Sequence, residues 1–347
     1  MPTNTLDYIT IKGFKSIASI EKLELKPINV VIGPNGSGKS NFIGVFEFLH
    51  AIRGGRLKDY VIEAGGAERV LHFGSKATKE IVIDLRLAQG QHALTLRPTA
   101  GDGLQYQEFA TGNADRVVTN NADWEKMLDD RLGWRIYHFE DTSFSSLMRR
   151  TAKVDDNRFL RADGSNLPAF LYLLREKHKD SYDLIVRTVQ RVAPFFDDFL
   201  LEPLRLNPDD IKLEWRHKKS DQYFDASSLS DGTLRFIALA TLLFQPEQFR
   251  PSVILVDEPE LGLHPYAREV LAALIRQASV TNQVIVSTQS SLLLDHFQPD
   301  DVLVAERVDG GTQLKRLEPE PLAKWLEEYS LGQLWEKNEI GGRPVPG

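Results

Sequence analysis

The sequence predicts an α/β fold in which a parallel sheet is covered by helices, and two observations indicate it. The apolar run Ile28–Ile32 leads through a glycine-rich loop into the helical pattern Lys39–Ile52. Further along the chain, apolar strands at Ser252–Val256 and Gln283–Ser287 flank the helical segment Pro265–Ala278. Alternation of strands with helices is typical of a parallel sheet with helices on its faces.

Composition sets limits on the class of protein. The chain has 347 residues, of which 42% are hydrophobic and 26% charged, as in an ordinary globular protein. We expect a cytoplasmic protein, because no apolar stretch approaches the ~20 residues that cross a bilayer and no signal-peptide pattern opens the chain. The sequence contains no cysteine, so a bound metal must use oxygen or histidine ligands. A net charge of −7 argues against a uniformly basic surface but allows a local basic groove for DNA.

The glycine-rich loop carries the strongest motif. The pattern G-x-x-x-x-G-K-S/T is spelled by Gly33-Pro34-Asn35-Gly36-Ser37-Gly38-Lys39-Ser40. This is the P-loop pattern, and it stands between a strand and a helix as the motif requires. The glycines let backbone N–H groups turn toward phosphates, and the helix N-terminus adds its positive dipole end. Lys39 is suited to reach the β/γ oxygens and Ser40 to ligate magnesium, so the sequence predicts binding of ATP or GTP.

The remaining chain divides by pattern into further segments. Alternating residues at Ile81–Leu87 and His92–Arg97 predict antiparallel strands, and helical spacing at Asn166–Glu176 and Ser181–Val192 predicts two helices. The predicted division is 1–55 for the N-terminal half of the nucleotide-binding core, 56–207 for a β-rich and then helical insertion, 208–318 for the C-terminal half of the core, and 319–347 for C-terminal helices. Within the last segment we expect two short helices, Leu322–Glu328 and Leu331–Lys337.

Two carboxylates follow the strand Ser252–Val256. Asp257 is placed to hold magnesium through water, and Glu258 lies beyond the strand end, where a base could polarise an attacking water. Two surface acids after a buried strand are common when they occur alone. The upstream P-loop favours the chemical interpretation.

A third segment opens an apolar helix that includes Phe236–Phe244. Ser230 is a suitable N-cap for this helix, and Gly232 exposes backbone N–H groups at its N-terminus. The segment Ser230-Asp231-Gly232 is therefore able to receive a phosphate. Plain helix capping explains the same residues when the segment is considered by itself.

Taken in this order, the three motifs resemble those of the ATP-binding cassette heads of the RecF, SMC and OLD group. The resemblance implies a P-loop NTPase of ABC-ATPase head type, with ATP and Mg²⁺ as cofactors, and it covers most of the chain. It also implies a head-to-tail homodimer in which the serine–glycine segment of one subunit caps the γ-phosphate on the P-loop of the other.

The same resemblance implies roles for individual residues. Glu258 would be the catalytic base, with Lys39 and Gln289 as further catalytic residues, and Ser40 and Asp257 would hold magnesium. The nucleotide would be bound by the P-loop, by Asn41, by Lys15 and Ser16 near the adenine, and by the signature residues Ser230, Asp231 and Gly232.

Two departures from the family pattern affect the expected activity. Gln289 stands where such heads usually have a histidine; its amide donates hydrogen bonds but carries no charge, so we expect slow hydrolysis. The family's glutamine-loop residue has no clear counterpart, and Gln91, His138 and Asp141 are the open candidates.

The second half also resembles a bacterial family of RecF-like AAA ATPases, in segments such as Ala193-Pro194-Phe195-Phe196-Asp197 and Ile340-Gly341-Gly342-Arg343-Pro344. Relatives in that family often act with a TOPRIM-type nuclease against phage. The resemblance therefore implies a head that gates DNA or a partner nuclease in antiphage defence or DNA repair. The alternative is a nucleotide-gated scaffold that hydrolyses little and holds an effector protein.

One basic stretch stays ambiguous in the sequence. Arg149, Arg150, Lys153, Arg158 and Arg161 outnumber the neighbouring acids. The stretch is interpreted either as a solvated loop or as a mobile loop that meets phosphates, and the solvated loop is the commoner case.

Overall fold

The computed structural model describes residues 5–87, 90–112 and 133–341. The chain forms two compact units, which are described separately below. Unit 1 is built from 1–134, 252–255 and 279–347, and unit 2 from 135–251 and 256–278. The predicted boundaries of an insertion at 56–207 remain a prediction.

The strands of the described chain follow in order. They are β1 (Leu6–Phe14), β2 (Ile17–Glu24), β3 (Ile28–Ile32), β4 (Ile81–Leu87), β5 (Gly90–Pro98), β6 (Leu104–Gly112), β7 (Trp134–Tyr137), β8 (Ala152–Lys153), β9 (Phe196–Leu200), β10 (Pro203–Leu204), β11 (Asn207–Ile211), β12 (Glu214–His217), β13 (Tyr223–Asp225), β14 (Val253–Asp257), β15 (Gln283–Thr288), β16 (Val302–Val308) and β17 (Gly311–Arg316).

The helices of the described chain are mostly short. They are α1 (Lys39–Arg53), α2 (Leu57–Glu63), α3 (Ala67–Val70), α4 (Gly74–Ala77), α5 (Leu167–Lys177), α6 (Lys179–Val192), α7 (Asp231–Phe244), α8 (Pro265–Ala278), α9 (Ser291–Leu294), α10 (Pro319–Leu322) and α11 (Leu331–Glu336). Among the described residues, none of these helices is long and apolar enough to span a bilayer.

Unit 1 contains the parallel sheet that the sequence predicts. Strand β3 pairs in parallel with β15 on one side and with β16 on the other, so that Val30 lies opposite both Val286 and Val302. All residues of β3 and β15 are buried, as expected for strands covered on both faces. Strand β17 pairs antiparallel with β16. The P-loop follows the carboxyl end of β3. It therefore lies at the edge of the sheet that the carboxyl ends of the parallel strands form.

A second sheet of unit 1 is antiparallel, in the order β2-β1-β4-β5-β6. The predicted strand Ile81–Leu87 is confirmed at its exact bounds, and its residues alternate between buried and half-buried positions. The predicted strand His92–Arg97 lies within the longer β5. This sheet packs its apolar face toward α1, where the rings of Phe14 and Phe48 lie 5.3 Å apart.

Unit 2 is organised around helix α7. Every residue from Leu234 to Phe244 is buried, which explains why its sequence is apolar on all sides. The two predicted insertion helices appear as α5, shifted by one residue at each end, and α6, which begins two residues earlier than predicted and ends as predicted at Val192. Strand β12 pairs with β9 and β13, and its Trp215 stacks on Phe224 with ring centroids 5.1 Å apart.

One predicted C-terminal helix is wrong. The segment 322–328 was expected to be helical, but α10 already ends at Leu322 and only a single 3-10 turn, Trp325–Glu327, follows. Pro319 and Pro321 lie in the first turn of α10, where proline is tolerated because the N–H groups have no helical partner, so they do not explain why the helix ends at Leu322. Trp325, in the 3-10 turn, is 45% exposed.

Candidate nucleotide site

The P-loop leaves the start of α1 open to a ligand. Gly38 is the N-cap with φ 101°, no side chain in the described structure caps the helix, and its first turn holds no acid. The first N–H groups of α1 therefore remain available to an anion. A Cβ added at Gly36 would meet nothing within 4 Å, so the loop faces open space at this point.

Lys39 lies inside the loop. Its ammonium donates hydrogen bonds to the carbonyl oxygens of Gly33, at 2.8 Å, and Pro34, at 3.1 Å. The residue is only 5% exposed. Nearby, the buried Ser37 hydroxyl has no hydrogen-bond partner among the described residues. A buried cation and an unsatisfied hydroxyl in one glycine loop fit a phosphate group well.

Side chains from distant parts of the chain form a hydrogen-bonded network that supports the P-loop. The Thr312 hydroxyl donates to the Ser37 carbonyl at 2.9 Å and lies 2.7 Å from the Ser16 hydroxyl. The Asn41 amide donates to the same Ser16 oxygen at 2.7 Å. A Cβ at Gly38 would lie 1.9 Å from the Thr312 hydroxyl, so only glycine fits there.

Two of these supporting residues are predicted from the sequence, and the third is not. Ser16 and Asn41 lie close to motifs, whereas Thr312 is 275 positions from Ser37 and belongs to no local pattern. The hairpin between β16 and β17 brings this buried threonine to the P-loop, and the two strand patterns are the weak sequence signal that could have indicated its position.

Lys15 lies in the turn between β1 and β2 with a positive φ of 45°. Its ammonium is 5.4 Å from the ring centroid of Phe14 and 5.5 Å from that of Tyr60. Burial lowers the pKa of Lys15 below the usual lysine value, and the charge of Glu47 partly opposes this shift. The side chain is thus a partly desolvated cation, which interacts more strongly with a phosphate than an exposed lysine does.

Gln289 leaves the sheet at the same edge as the P-loop. Thr288, the last residue of β15, pairs with Ile32, the last residue of β3. Gln289 and Gly33 each follow directly, so unit 1 brings Gln289 to the P-loop edge. Its contact with a γ-phosphate remains a prediction.

The signature residues start α7 in unit 2. The Ser230 hydroxyl accepts a hydrogen bond from the Thr233 backbone at 3.2 Å, so Ser230 does cap the helix. A Cβ at Gly232 would lie 2.3 Å from the carbonyl oxygen of Gly262, which explains the glycine by close backbone packing. Capping and phosphate binding are compatible, and the second role remains a prediction.

Arg149 is a buried support of the signature rather than part of a solvated loop. Its guanidinium is 6% exposed and donates to the carbonyls of Ala226 and Leu229 and, at 2.8 Å, to the carboxylate of Asp231. The solvated-loop interpretation is wrong for this residue. Three of its four acceptors lie on a segment about 80 positions away, so the local charge pattern could not indicate them. The fourth acceptor is the nearby Thr142 carbonyl, at 3.0 Å from Nε.

Arg235 connects the same helix to two further segments of unit 2. Its guanidinium donates to the carbonyls of Phe139, at 2.8 Å, and Glu140, at 2.6 Å, and also to that of Leu261. Burial lowers the pKa of Arg235, although nearby carboxylates oppose the shift. The start of α7 and the segment after Glu258 are therefore held together.

Asp257 and Glu258, the two predicted carboxylates, differ in backbone conformation. Asp257 is the half-buried last residue of β14. Glu258 has a φ of 39°, which is unusual for a residue with a side chain, and its carbonyl accepts from the Leu261 backbone at 3.2 Å. No sequence pattern indicated this conformation.

The described residues include no metal site formed by the protein alone. No cluster of three or more His, Cys, Asp or Glu residues that could hold a metal occurs in the described ranges. Mg²⁺ in such sites takes one or two protein oxygens and completes its shell with phosphates and water. Ser40 in unit 1 and Asp257 in unit 2 each offer such an oxygen, and their roles as ligands remain predictions.

The glutamine-loop candidates have structural partners of their own. The Gln91 amide donates to the Asp84 carboxylate on the neighbouring strand at 2.7 Å. The Asp141 carboxylate accepts from the backbone and hydroxyl of Ser143 in a local turn. The His138 backbone N–H donates to the Ala162 carbonyl. These contacts assign the glutamine loop to none of the three.

Comparison with family models gives a match over most of the chain. Residues 28–295 match the family described as "AAA domain, putative AbiEii toxin, Type IV TA system". The matched segment contains the P-loop, the signature and both carboxylates.

Two characterised proteins are similar over long segments. The chromosome partition protein Smc of Mycobacterium tuberculosis is 42% identical over 234 residues, covering 59% of this chain and 19% of that protein. The OLD nuclease of Thermus scotoductus is 22% identical over 324 residues, covering 84% of this chain and 60% of the nuclease. The chain thus spans less than two thirds of the length of these relatives.

Solved structures of Smc heads share the fold. An Smc head bound to the C-terminal winged-helix domain of ScpA superposes with a TM-score of 0.62 at 16% identity, covering 92% of this chain and 99% of that one. An Smc head derived from Pyrococcus furiosus gives 0.62 at 18% identity, covering 93% and 98%. The predicted fold class, an ABC-type head, is confirmed.

Proposed function

We propose a function from the premise that this chain belongs to the AAA ATPase family whose model it matches over residues 28–295. The proposed activity is hydrolysis of ATP with Mg²⁺ at the P-loop. One observation carries the proposal, namely the uncapped start of α1 directly behind the glycine loop that encloses Lys39. This arrangement supplies backbone N–H groups and a buried cation to a triphosphate.

The proposed roles of the residues follow from their chemistry. Lys39 and the loop N–H groups bind the phosphates, and Gln289 donates a hydrogen bond to the γ-phosphate. Ser40 and Asp257 would hold Mg²⁺, which supplies charge neutralisation at the phosphates when bound. Glu258 accepts a proton from the attacking water.

We further propose that the ATP-bound protein is a homodimer, with Ser230 to Gly232 of one subunit capping the γ-phosphate on its partner's P-loop. The dimer would gate DNA or a nuclease of TOPRIM type, in antiphage defence or DNA repair within the cytoplasm. The Smc-head fold and the similarity to an OLD nuclease support this extension.

A second candidate function is a nucleotide-gated scaffold that hydrolyses little and holds an effector protein. The uncharged Gln289 at the P-loop edge favours it, because an amide cannot stabilise transition-state charge as strongly as a protonated histidine does. ATP-dependent dimerisation with negligible hydrolysis would distinguish the scaffold from the ATPase.

The test compares Lys39→Ala with the wild type. Calorimetry measures ATP binding, and phosphate release measures ATP hydrolysis. We expect binding to weaken by roughly 100-fold or more, because the ammonium–phosphate hydrogen bonds are charge-assisted. Lys324→Ala removes an exposed lysine outside the loop and serves as the matched control. Unchanged affinity of Lys39→Ala would contradict the P-loop assignment.

A further inference from the structure

We propose that helix α11 positions Gln289 at the P-loop edge, an assignment that rests on the function proposed above. Gly332 and Asp295 are the positioning residues, and they lie 37 positions apart in the chain. Helix α11 packs against α9, the short helix that follows Gln289 and Ser290. All of these residues belong to unit 1, as does the P-loop.

Gln289 lies between two residues whose positions are fixed by hydrogen bonds. Thr288 is the buried last residue of β15, and its hydroxyl accepts from the Ser290 backbone at 2.9 Å. The Ser290 hydroxyl caps α9 by accepting from the Leu293 backbone at 3.2 Å. Because only Ser290 separates Gln289 from α9, a displacement of α9 also moves the backbone of Gln289.

Helix α11 holds α9 at both of its ends through carboxylates. At the first residue of α9, the Ser291 hydroxyl donates to the Glu336 carboxylate at 2.6 Å. Directly after its last residue, the Asp295 carboxylate accepts from the Gly332 backbone at 2.6 Å. Hydrogen bonds to an ionised group are stronger than those between neutral groups. Together they fix α9 relative to α11.

Gly332 allows the two helices to approach closely. A Cβ at this position would lie 2.3 Å from the Ser291 carbonyl oxygen and 2.6 Å from the Asp295 carboxylate. The same Ser291 carbonyl accepts from the Asp295 backbone at 3.2 Å within α9. Alanine is normally favoured over glycine inside a helix, so the glycine serves the close approach. Any side chain at position 332 must displace α9.

The contact between the helices is part of the buried core. Leu293 and Leu294 of α9, and Leu331 and Leu334 of α11, are each at most 4% exposed. Close-packed interiors transmit a displacement instead of absorbing it. A shift imposed at Gly332 therefore reaches Gln289 through α9.

Gly332→Ala should slow hydrolysis without weakening ATP binding. Misplacing a group by about 1 Å can cost on the order of 10²-fold in rate, so we expect single-turnover phosphate release to slow by roughly 10- to 100-fold. The KM for ATP should stay within roughly twofold, because Lys39 and the loop N–H groups still bind the phosphates. Gly101→Ala is the matched control, since a Cβ there would meet nothing within 4 Å.

Two variants of Asp295 test the same contact without adding volume at Gly332. Asp295→Asn keeps an oxygen that accepts from the Gly332 backbone and should hydrolyse ATP at close to the wild-type rate. Asp295→Ala removes the acceptor and should slow hydrolysis as Gly332→Ala does, again without a change in KM. Equal rates for the two Asp295 variants would overturn the assignment.

A double variant distinguishes positioning from a general loss of structure. Gln289→Ala should be slow by itself, and adding Gly332→Ala should slow it no further, because α11 acts only through Gln289. An additional loss in the double variant would assign Gly332 a merely structural role. A wild-type rate in Gly332→Ala beside a slow Gln289→Ala would overturn the positioning assignment alone.

Hydrogen exchange of the nucleotide-free protein gives a readout that does not depend on hydrolysis. In Gly332→Ala the backbone N–H groups of Leu294 and Asp295, which close the turn of α9, should exchange at least roughly fivefold faster, while those of α1 stay unchanged. Unchanged exchange in α9 would overturn the assignment. Failure of the proposed function appears differently, as ATP affinity that does not depend on Lys39 or as a wild-type rate in Gln289→Ala, and the latter would overturn the positioning assignment as well.

Discussion

At the scale of single residues, Glu258 combines the proposed role of catalytic base with an unusual backbone conformation. Its φ of 39° is one that residues with side chains seldom adopt. Such a conformation costs on the order of 1–3 kcal/mol and is retained where the surroundings determine it. In unit 2 these surroundings include the hydrogen bond from Leu261 to the Glu258 carbonyl and the anchoring of Leu261 by Arg235. The backbone conformation at Glu258 is therefore held by contacts within unit 2.

Glu258→Gln should separate ATP binding from hydrolysis. The amide keeps the shape of the side chain but cannot accept the proton of the attacking water, so we expect hydrolysis to fall by roughly 10²- to 10⁴-fold. ATP affinity should be retained and the ATP-bound dimer should live longer, since the ground-state contacts remain. Single-turnover phosphate release measures the first effect and light scattering the second. Hydrolysis at the wild-type rate would mean that the base lies elsewhere.

At the scale of elements, two buried arginines hold the start of α7. Arg149 connects it to the chain around Thr142, and Arg235 connects it to Phe139 and Leu261. Guanidinium groups suit this task because they offer five donors in a rigid plane. Hydrogen bonds thus hold the start of α7 and the segment after Glu258 together within unit 2.

Arg149→Lys should lower the stability of unit 2 around the start of α7 without altering the P-loop. A lysine ammonium has three donors and cannot reach all the acceptors that Arg149 serves, so we expect a loss of about 2–3 kcal/mol in the free energy of unfolding. Denaturant unfolding measures that loss, and ATP titration should show unchanged affinity. Arg158→Lys is the control on an exposed arginine of the same stretch. Equal stability of the two variants would show that the contacts of Arg149 contribute little.

At the scale of the whole molecule, the proposed dimer makes each nucleotide site depend on two chains. A Ser230→Arg chain should bind ATP at its own P-loop yet fail to hydrolyse it, because the new side chain obstructs the signature. The lost N-cap adds a cost of about 1 kcal/mol, which a melting curve detects. A Lys39→Ala chain should fail for the complementary reason.

Mixing these two inactive chains should restore part of the activity. A heterodimer then contains one site with both defects and one with an intact P-loop facing an intact signature. Phosphate release in the mixture is the measurement, and each variant alone is the control. If heterodimers form and stay inactive while the wild type hydrolyses ATP at a rate independent of its concentration, the composite site is wrong.

Local patterns were sufficient for much of the fold. The strand, loop and helix around Lys39 were found from one motif, and the strand Ile81–Leu87 and the helix Pro265–Ala278 have their predicted bounds. These elements depend on periodicity and on residues close together in sequence. The helix predicted at 322–328 is wrong, because the structure has only a single 3-10 turn there, and no residue within the segment explains the difference.

The sequence by itself determined that this chain has a P-loop and the fold of an ABC-type head, because that information lies in short motifs and their order. The tertiary structure decided which residues support the motifs. Thr312 beside the P-loop and Arg149 beside the signature residues act through contacts between distant segments. Such contacts follow from packing of whole elements, which no local spacing encodes.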